Sequence, residues 1–155
     1  MASVRAQILA AVEAKLQLVS EQLGWAGLIR NPREPVGEDQ LNALVMMDGG
    51  DNTPGGLSGG VSKCELGFSV AMLVQESGGI RAEDLLDAGF VLISNTLLDP
   101  FDIQLGGLAE GISRLAVSDP SIGRAAQGAR IMGGQAIDFT VTYLEREGDA
   151  EIPGP

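Results

Sequence analysis

The chain has 155 residues, 45% hydrophobic and 20% charged, a balance typical of globular proteins. This length is enough for one domain with a sizeable core and marginal for two. Its 10 basic and 21 acidic residues give a formal net charge of −11, which disfavours general affinity for nucleic acid or anionic membranes. We therefore predict one folded domain over residues 1–146, followed by a separate tail at 147–155.

Cysteine usage and hydropathy favour a reducing compartment. Cys64 is the only cysteine, so an intrachain disulfide is excluded. The N-terminal residues lead into an amphipathic pattern that differs from a secretory signal. No window approaches the roughly 20 apolar residues that a membrane-spanning helix needs. We expect a soluble protein that is made in the cytoplasm and has no membrane partner.

The first third of the chain predicts one helix and two strands. Apolar residues recur every three or four positions over residues 3–23, the pattern of one buried helical face, and Gly24 ends it. A short β-compatible run covers residues 25–30, and a turn with two prolines at 31–35 stops it. The apolar run at 41–47 predicts a strand buried on both faces.

The most unusual segment is the glycine-rich stretch at residues 48–60. It contains six glycines and two aspartates but no lysine or arginine. A connection of this length without helical or strand pattern is uncommon in a small domain unless it is disordered or makes contacts of its own. We therefore predict a long flexible loop between two core strands, which becomes ordered against a neighbouring molecule.

Strong periodicities return after the loop. The long strand at 61–74 alternates strictly from Cys64 onward, with Cys64 itself on the apolar face. Helical spacing over residues 82–97 predicts a second helix, which begins with two acids and is closed by an Asp-Pro pair.

The last third contains weaker signals and one clear strand. Residues 108–117 are strand-like, whereas 121–134 have no clear pattern, and their composition allows a short helical turn around 122–127. Residues 135–145 alternate again and predict a strand. The order of elements predicts an α+β fold, a mostly antiparallel sheet packed against two helices. The acidic, proline-rich residues 147–155 cannot bury enough apolar surface and are predicted to be a flexible tail.

The residue types needed for common active sites are scarce. The chain has no histidine, which excludes Ser-His and Cys-His nucleophile pairs and imidazole metal ligands. The glycine strings lack the Gly-Lys-Ser/Thr ending of a phosphate loop, and no dinucleotide fingerprint is present. Asp48, Asp51 and Asn52 miss the alternating spacing of a calcium loop. We predict no cofactor, no metal and no catalytic residue.

Two groups of charged residues allow further interpretations. Carboxylates could pair for acid–base chemistry, but acids at helix starts and in loops normally serve capping and solubility; they are Glu38, Asp39, Glu83, Asp84, Asp87 and Asp99. Arginines can anchor subunit interfaces through carboxylates on an acidic neighbour, or remain as solvated charge; they are Arg30, Arg33, Arg114, Arg124 and Arg130. We interpret the arginines as inter-subunit contacts.

The order of elements, taken together, carries a resemblance. Six predicted elements follow one another over residues 1–146. The first three are an amphipathic helix, a strand ending in Asn-Pro-Arg-Glu-Pro and an apolar strand leading to Asp-Gly-Gly-Asp. The next three are a long alternating strand, a helix ending in Leu-Leu-Asp-Pro and a final strand that reads Ala-Ile-Asp-Phe-Thr-Val-Thr-Tyr. This arrangement resembles the small tail terminator, or tail completion, proteins of long-tailed bacteriophages and related gene transfer particles.

The resemblance implies a structural virion protein and not an enzyme. In that family a ring, usually of six subunits, caps the tail tube, ends its polymerisation and joins the tail to the head connector. Viral DNA passes through the ring without specific binding. The partners implied are further copies of this chain, the tail tube protein and a connector or neck protein, with assembly in the host cytoplasm. The negative charge of the chain suits such a channel.

On this interpretation, the glycine-rich loop contacts the tube or a neighbour through Asp48, Asp51, Asn52, Pro54 and Leu57. The arginine-containing segment from Arg114 to Arg130 contacts the next subunit. The chain departs from plainer family members in its glycine-heavy loop and its long 118–134 segment. The alternatives are another neck or connector subunit of the same particle, and a small carboxylate-dependent enzyme.

Overall fold

Two helices and seven strands follow one another in a computed structural model that describes residues 2–57, 60–124, 130–146 and 149–153. The helices are α1 Val4–Leu23 and α2 Ala82–Leu97. The strands are β1 Gly27–Arg30, β2 Ala43–Leu57, β3 Val61–Gln75, β4 Gly111–Val117, β5 Ser121–Arg124, β6 Ile131–Arg146 and β7 Asp149–Pro153. Short 3₁₀ turns occupy Glu38–Gln40 and Leu105–Gly107. The predicted α+β class is confirmed.

Both helices begin and end where the sequence patterns place them. The Ser3 hydroxyl accepts the Ala6 N–H at 3.1 Å and caps the start of α1. Gly24 ends α1 with a φ of 70°, a left-handed conformation that costs glycine little. At the start of α2, the Glu76 carboxylate accepts the Ala82 N–H at 2.8 Å. None of the described helices is both long enough and apolar enough to cross a membrane.

The sheet is organised around the antiparallel pair β3 and β6. The strand order is β1-β2-β3-β6-β4, and only β1 and β2 run parallel. β3 pairs with β6 along its whole length, from Val61 opposite Arg146 to Gln75 opposite Met132. Because β3 occupies one edge of β6, the short strands β5, β4 and β7 follow one another along its other edge.

The core lies on one face of this sheet, under α1 and α2. Alternate residues of β3 and β6 point into it, and the phenyl groups of Phe68 and Phe139 stack with centroids 5.3 Å apart. Both helices contribute fully buried residues such as Leu16 and Ile93. We call the opposite side of the sheet the open face, because in the described structure neither helix covers it. At the β5 end, Val36 and Leu41 of the β1–β2 connection lie over it and line a groove with Leu73.

The glycine-rich segment differs from its prediction as a long loop. β2 continues through it to Leu57 and pairs with β3, with register shifts between Asp48 and Asp51 and between Asn52 and Gly55. Glycine, aspartate and proline are poor strand formers, so the sequence pattern does not predict the second half of β2. This part of the strand forms because it pairs with β3. Residues 58 and 59 of the predicted loop lie outside the described residues.

Two other segments are strands where the sequence predicts none. Residues 122–124, assigned to a short helical turn, belong to β5, while 125–129 lie outside the described residues. Residues 149–153 of the predicted flexible tail form β7 and pair with β6, while 147, 148, 154 and 155 are not described. Both strands are short and polar or glycine-containing. They are set by the free edge of β6 and not by their own propensity.

A substitution at Gly49 tests whether the close approach of β2 to β3 requires glycine. A Cβ at Gly49 would lie 2.7 Å from the carbonyl oxygen of Gly67, which is backbone and cannot rotate away. We expect Gly49→Ala to lower the free energy of unfolding by about 1–3 kcal/mol, measured by urea denaturation. Gly50→Ala is the matched control, because a Cβ there meets nothing within 4 Å. Equal losses for the two variants would contradict this close strand packing.

Candidate subunit interface

A charged cluster joins α1, β1 and β2 on the helix-covered side of the sheet. Arg30 donates from Nε and Nη2 to the two carboxylate oxygens of Asp48, at 3.2 and 3.0 Å. Its Nη1 donates to Glu13 of α1 at 2.9 Å. The Asp48 N–H donates to the side-chain oxygen of Asn31 at 2.8 Å. Arg30 and Asp48, both predicted to contact other molecules, therefore bind each other within one chain.

The environment of Asp48 shifts its titration. Partial burial alone would raise its pKa, but the hydrogen bonds from Arg30 and Asn31 and the positive charge of Arg30 outweigh that effect and lower the pKa below its ordinary value. The hydrogen bond to Asp48 likewise raises the pKa of Arg30. Both side chains are 30% exposed, so the pair is stabilising but partly screened by water.

Asp51 makes a second contact on the same side of the sheet. Its carboxylate accepts the Tyr143 hydroxyl at 2.6 Å and lies 4.0 Å from the Arg5 guanidinium of α1. Tyr143 is only 1% exposed, and burial together with this hydrogen bond raises its pKa above the ordinary value. The Asp51 side chain is 18% exposed. The predicted docking aspartate therefore serves first as an internal partner for a buried tyrosine.

The other predicted loop residues lie in β2. Asn52 is exposed and lies opposite Glu65 of β3, on the open face. Pro54 and Leu57 belong to the same strand, but their side chains lie outside the described part of the structure. β1 pairs with β2 only from Ala43 to Met46, so beyond Asp48 the outer edge of β2 faces no other described strand. Pro54 and the two register shifts interrupt this edge.

The open face between the β1–β2 connection and the turn that joins β2 to β3 carries mostly small and polar side chains. Ser69 donates to Asp138 across the β3–β6 pair at 2.7 Å, and Met47 beside them is 51% exposed. Its described members include Met47, Asn52, Lys63, Glu65, Gly67, Ser69, Gly111, Ser113, Asp138, Thr140, Thr142, Leu144 and Arg146. Such side chains do not build a core, so this face suits water or a polar partner.

The remaining predicted arginines occupy three different places. The Arg114 guanidinium lies 5.0 Å from the centroid of the Phe90 side chain on α2, and its Nη1 donates to Ser94 at 3.4 Å. Arg33 lies in the β1–β2 connection, and Arg124 ends β5. Arg130 immediately precedes β6. Arg124 and Arg130 are exposed and close together, because Arg124 pairs with Ile131.

Apart from Asn52, sequence reasoning did not select the open face as a candidate site. The alternation of β3 and β6 identified which residues lie there, yet a polar strand face reads equally as solvent-exposed surface. This face is distinguished from ordinary surface only by the structure, in which both helices pack on the other side of the sheet.

Within the described ranges, no group of three or more histidine, cysteine, aspartate or glutamate side chains is arranged to hold a metal ion. A comparison with models of known protein families and with curated proteins finds no match.

The Asp48–Arg30 pair predicts a pH-dependent stability difference. Because the folded pKa of Asp48 is lowered, its contribution is full well above the unfolded carboxyl pKa of about 3.9 and is lost as the pH falls through the folded value. We expect Asp48→Asn to lower the free energy of unfolding by about 0.5–1 kcal/mol at neutral pH. The difference from the unsubstituted protein should shrink steadily as denaturation is repeated at lower pH.

Asp87→Asn provides the control, since Asp87 is an exposed acid on α2 and its substitution removes the same charge. The Asp87→Asn substitution should change the free energy of unfolding little at any pH of the series. A deficit in Asp48→Asn that stayed constant down to strongly acid pH would show that the ion pair is not its cause.

Proposed function

We propose that this protein is a structural subunit of a long-tailed phage or related particle, which assembles as a ring, usually of six copies in the family it resembles. The ring caps the tail tube, ends its polymerisation and joins the tail to the head connector. The proposal starts from the sequence resemblance, which concerns element order. It is supported by an architecture in which both helices cover a single face of the sheet.

The one-sided covering of the sheet is the observation that carries the proposal. Alternate residues of β3 are buried under the helices, while the residues between them remain partly exposed on the open face. An isolated domain can leave such a face to water, but a ring of sheets uses it as an inner wall. The small and polar side chains of the open face suit a surface past which a large polymer slides.

The long hairpin of β2 and β3 supports an assembling role in a second way. The outer edge of β2 beyond Asp48 carries backbone groups that no other described strand pairs. Exposed strand edges are sites where another chain can add, and the bulges and Pro54 restrict which chain fits. Neighbouring subunits or tube protein are the partners that such an edge would take. Asn52 at this edge retains the docking role predicted for it.

The charge distribution favours passage of DNA without binding. The open face holds Glu65 and Asp138 against Lys63 and, at the end of β6, Arg146, so its local charge is balanced on a chain of net charge −11. A wall with this balance offers phosphates little net attraction, so few counterions would be released from DNA that passes it. The neck-subunit alternative predicts the same wall, and the two differ in partner: a terminator binds the tail tube protein, whereas a neck subunit binds only the connector.

Sedimentation velocity of the full-length protein, alone and with tail tube protein, tests the assembly proposal. We expect a closed oligomer of the 16.1 kDa chain that associates with tube ends. A tube-length assay gives the second readout, because a terminator added during tube polymerisation should shorten the tubes. A protein that stays monomeric at high concentration with tube protein present would contradict the proposal.

The channel placement of the open face has its own test. Glu65→Lys combined with Asp138→Lys should leave particle assembly intact but reduce DNA delivery, because phosphates would be retained on the wall. The control reverses two exposed acids on the outer sides of the helices, Glu21→Lys with Asp87→Lys, and should deliver DNA normally. Normal delivery by correctly assembled open-face variants would argue against this placement.

A further inference from the structure

One phenylalanine side chain is almost fully exposed to solvent, although folding normally buries such a side chain. Phe101, in the connection after α2, is 96% exposed, far more than any other described large apolar side chain. Aromatic side chains dominate binding energy when they enter a partner's pocket, and they are rarely left wholly in water. Phe101 is therefore a candidate anchor for another molecule.

The segment that carries Phe101 is held firmly. The Asp99 carboxylate accepts the Phe101 N–H at 3.0 Å, which fixes the turn. Asp102 forms a 2.8 Å ion pair with Lys15 of α1 and also accepts the Gly106 N–H at 3.2 Å. Leu105 is buried with a φ of 51°, a left-handed conformation that leucine rarely adopts. These contacts present the phenyl group on a fixed support, which lowers the entropy lost on binding.

The described surface also contains an apolar groove that could receive it. The groove has a volume of about 510 Å³ and lies on the open face where the β1–β2 connection crosses the sheet. Its apolar lining includes Val36, Leu41, Leu73 and Met132, and three glycines line it as well. Arg124 stands at its rim, and Arg130 lies next to it in the β5–β6 pair.

The anchor cannot reach the groove of its own chain. Phe101 belongs to a connection that is tied to α1 on the helix-covered side and leads to Glu110, whose N–H donates to Thr142 of β6 at 2.8 Å. The groove lies on the other face, at Gly133 and Gly134. At about 3.3 Å per residue, about 30 Å of β6 separates Gly133 from Thr142. A contact between the two sites therefore requires two molecules.

We propose that Phe101 of one subunit inserts into this groove of the next copy of the chain. Charge favours this occupant, because Asp99 lies two residues before Phe101 while the exposed Arg130 lies next to the groove at the start of β6. The two surfaces are different, so the contact is head-to-tail and can be repeated around a closed ring. The inference rests on the proposed ring, to which it adds a specific subunit contact.

Crosslinking between two full-length variants tests the contact directly. Phe101→Cys is mixed with Met132→Cys and treated with a short flexible bis-maleimide; the native Cys64 is buried and stays in both. We expect a crosslinked dimer in the mixture but not in either variant alone. Val91→Cys mixed with Met132→Cys is the control, because Val91 is 47% exposed on α2. Equal yields from the two mixtures, or attachment of Phe101→Cys to tube protein instead, would overturn the contact.

Affinity gives the second measurement. Phe101→Ala should weaken subunit association about 30-fold or more by sedimentation, whereas Leu18→Ala, which truncates a 55% exposed residue of α1, should change it little. If the unsubstituted protein forms rings and Phe101→Ala forms them equally well, this contact is wrong while the proposed function stands. If the unsubstituted protein never assembles, both are wrong.

Discussion

The continuous antiparallel pairing of β3 with β6 is the constraint on which the rest of the structure depends. Phe68 and Phe139 lie directly opposite each other and stack, so two of the largest buried side chains of the sheet support one register. A slip of one residue would turn every buried side chain to the open face. β2 is added to the free edge of β3, and three short strands are added to the free edge of β6. The helices close one side.

The bulge at Gly49 and Gly50 follows from that constraint and has a chemical consequence. Asp48 lies opposite Phe68 and Asp51 opposite Leu66, so three steps along β2 match two along β3. In a regular strand, two aspartates three positions apart would point to opposite faces. With the extra residue of the bulge, both point to the helix-covered side, where Asp48 meets Arg30 and Asp51 meets Tyr143. The bulge therefore places two carboxylates where α1 and the core can use them.

The parts of the fold that could be predicted are the helices and strands in which apolar residues recur with the spacing typical of that element. β3, β6 and both helices bury one side of a regular pattern, so their spacing reveals them. The second half of β2, with its glycines and proline, is a strand only because β3 supplies the pairing, and β5 and β7 depend on β6 in the same way. Asp48 and Arg30 were both selected from sequence, but their contact comes from the parallel β1–β2 pair. Nothing in the sequence separates an exposed Phe101 from a buried phenylalanine.

The same geometry bears on how acidic subunits could pack together. Identical chains of net charge −11 repel each other, so a stable contact must bring arginines of one copy to acids of the next. Arg30 already binds carboxylates of its own chain. Arg130 lies at the start of β6, whereas Glu110 lies beside Thr142 toward its other end, where the strand finishes with Arg146. A two-fold contact between equal ends would oppose like charges, while a head-to-tail contact opposes unlike ones. Of these groups, Arg130 and Glu110 would be brought together by a head-to-tail contact of the proposed subunit and not by a two-fold one.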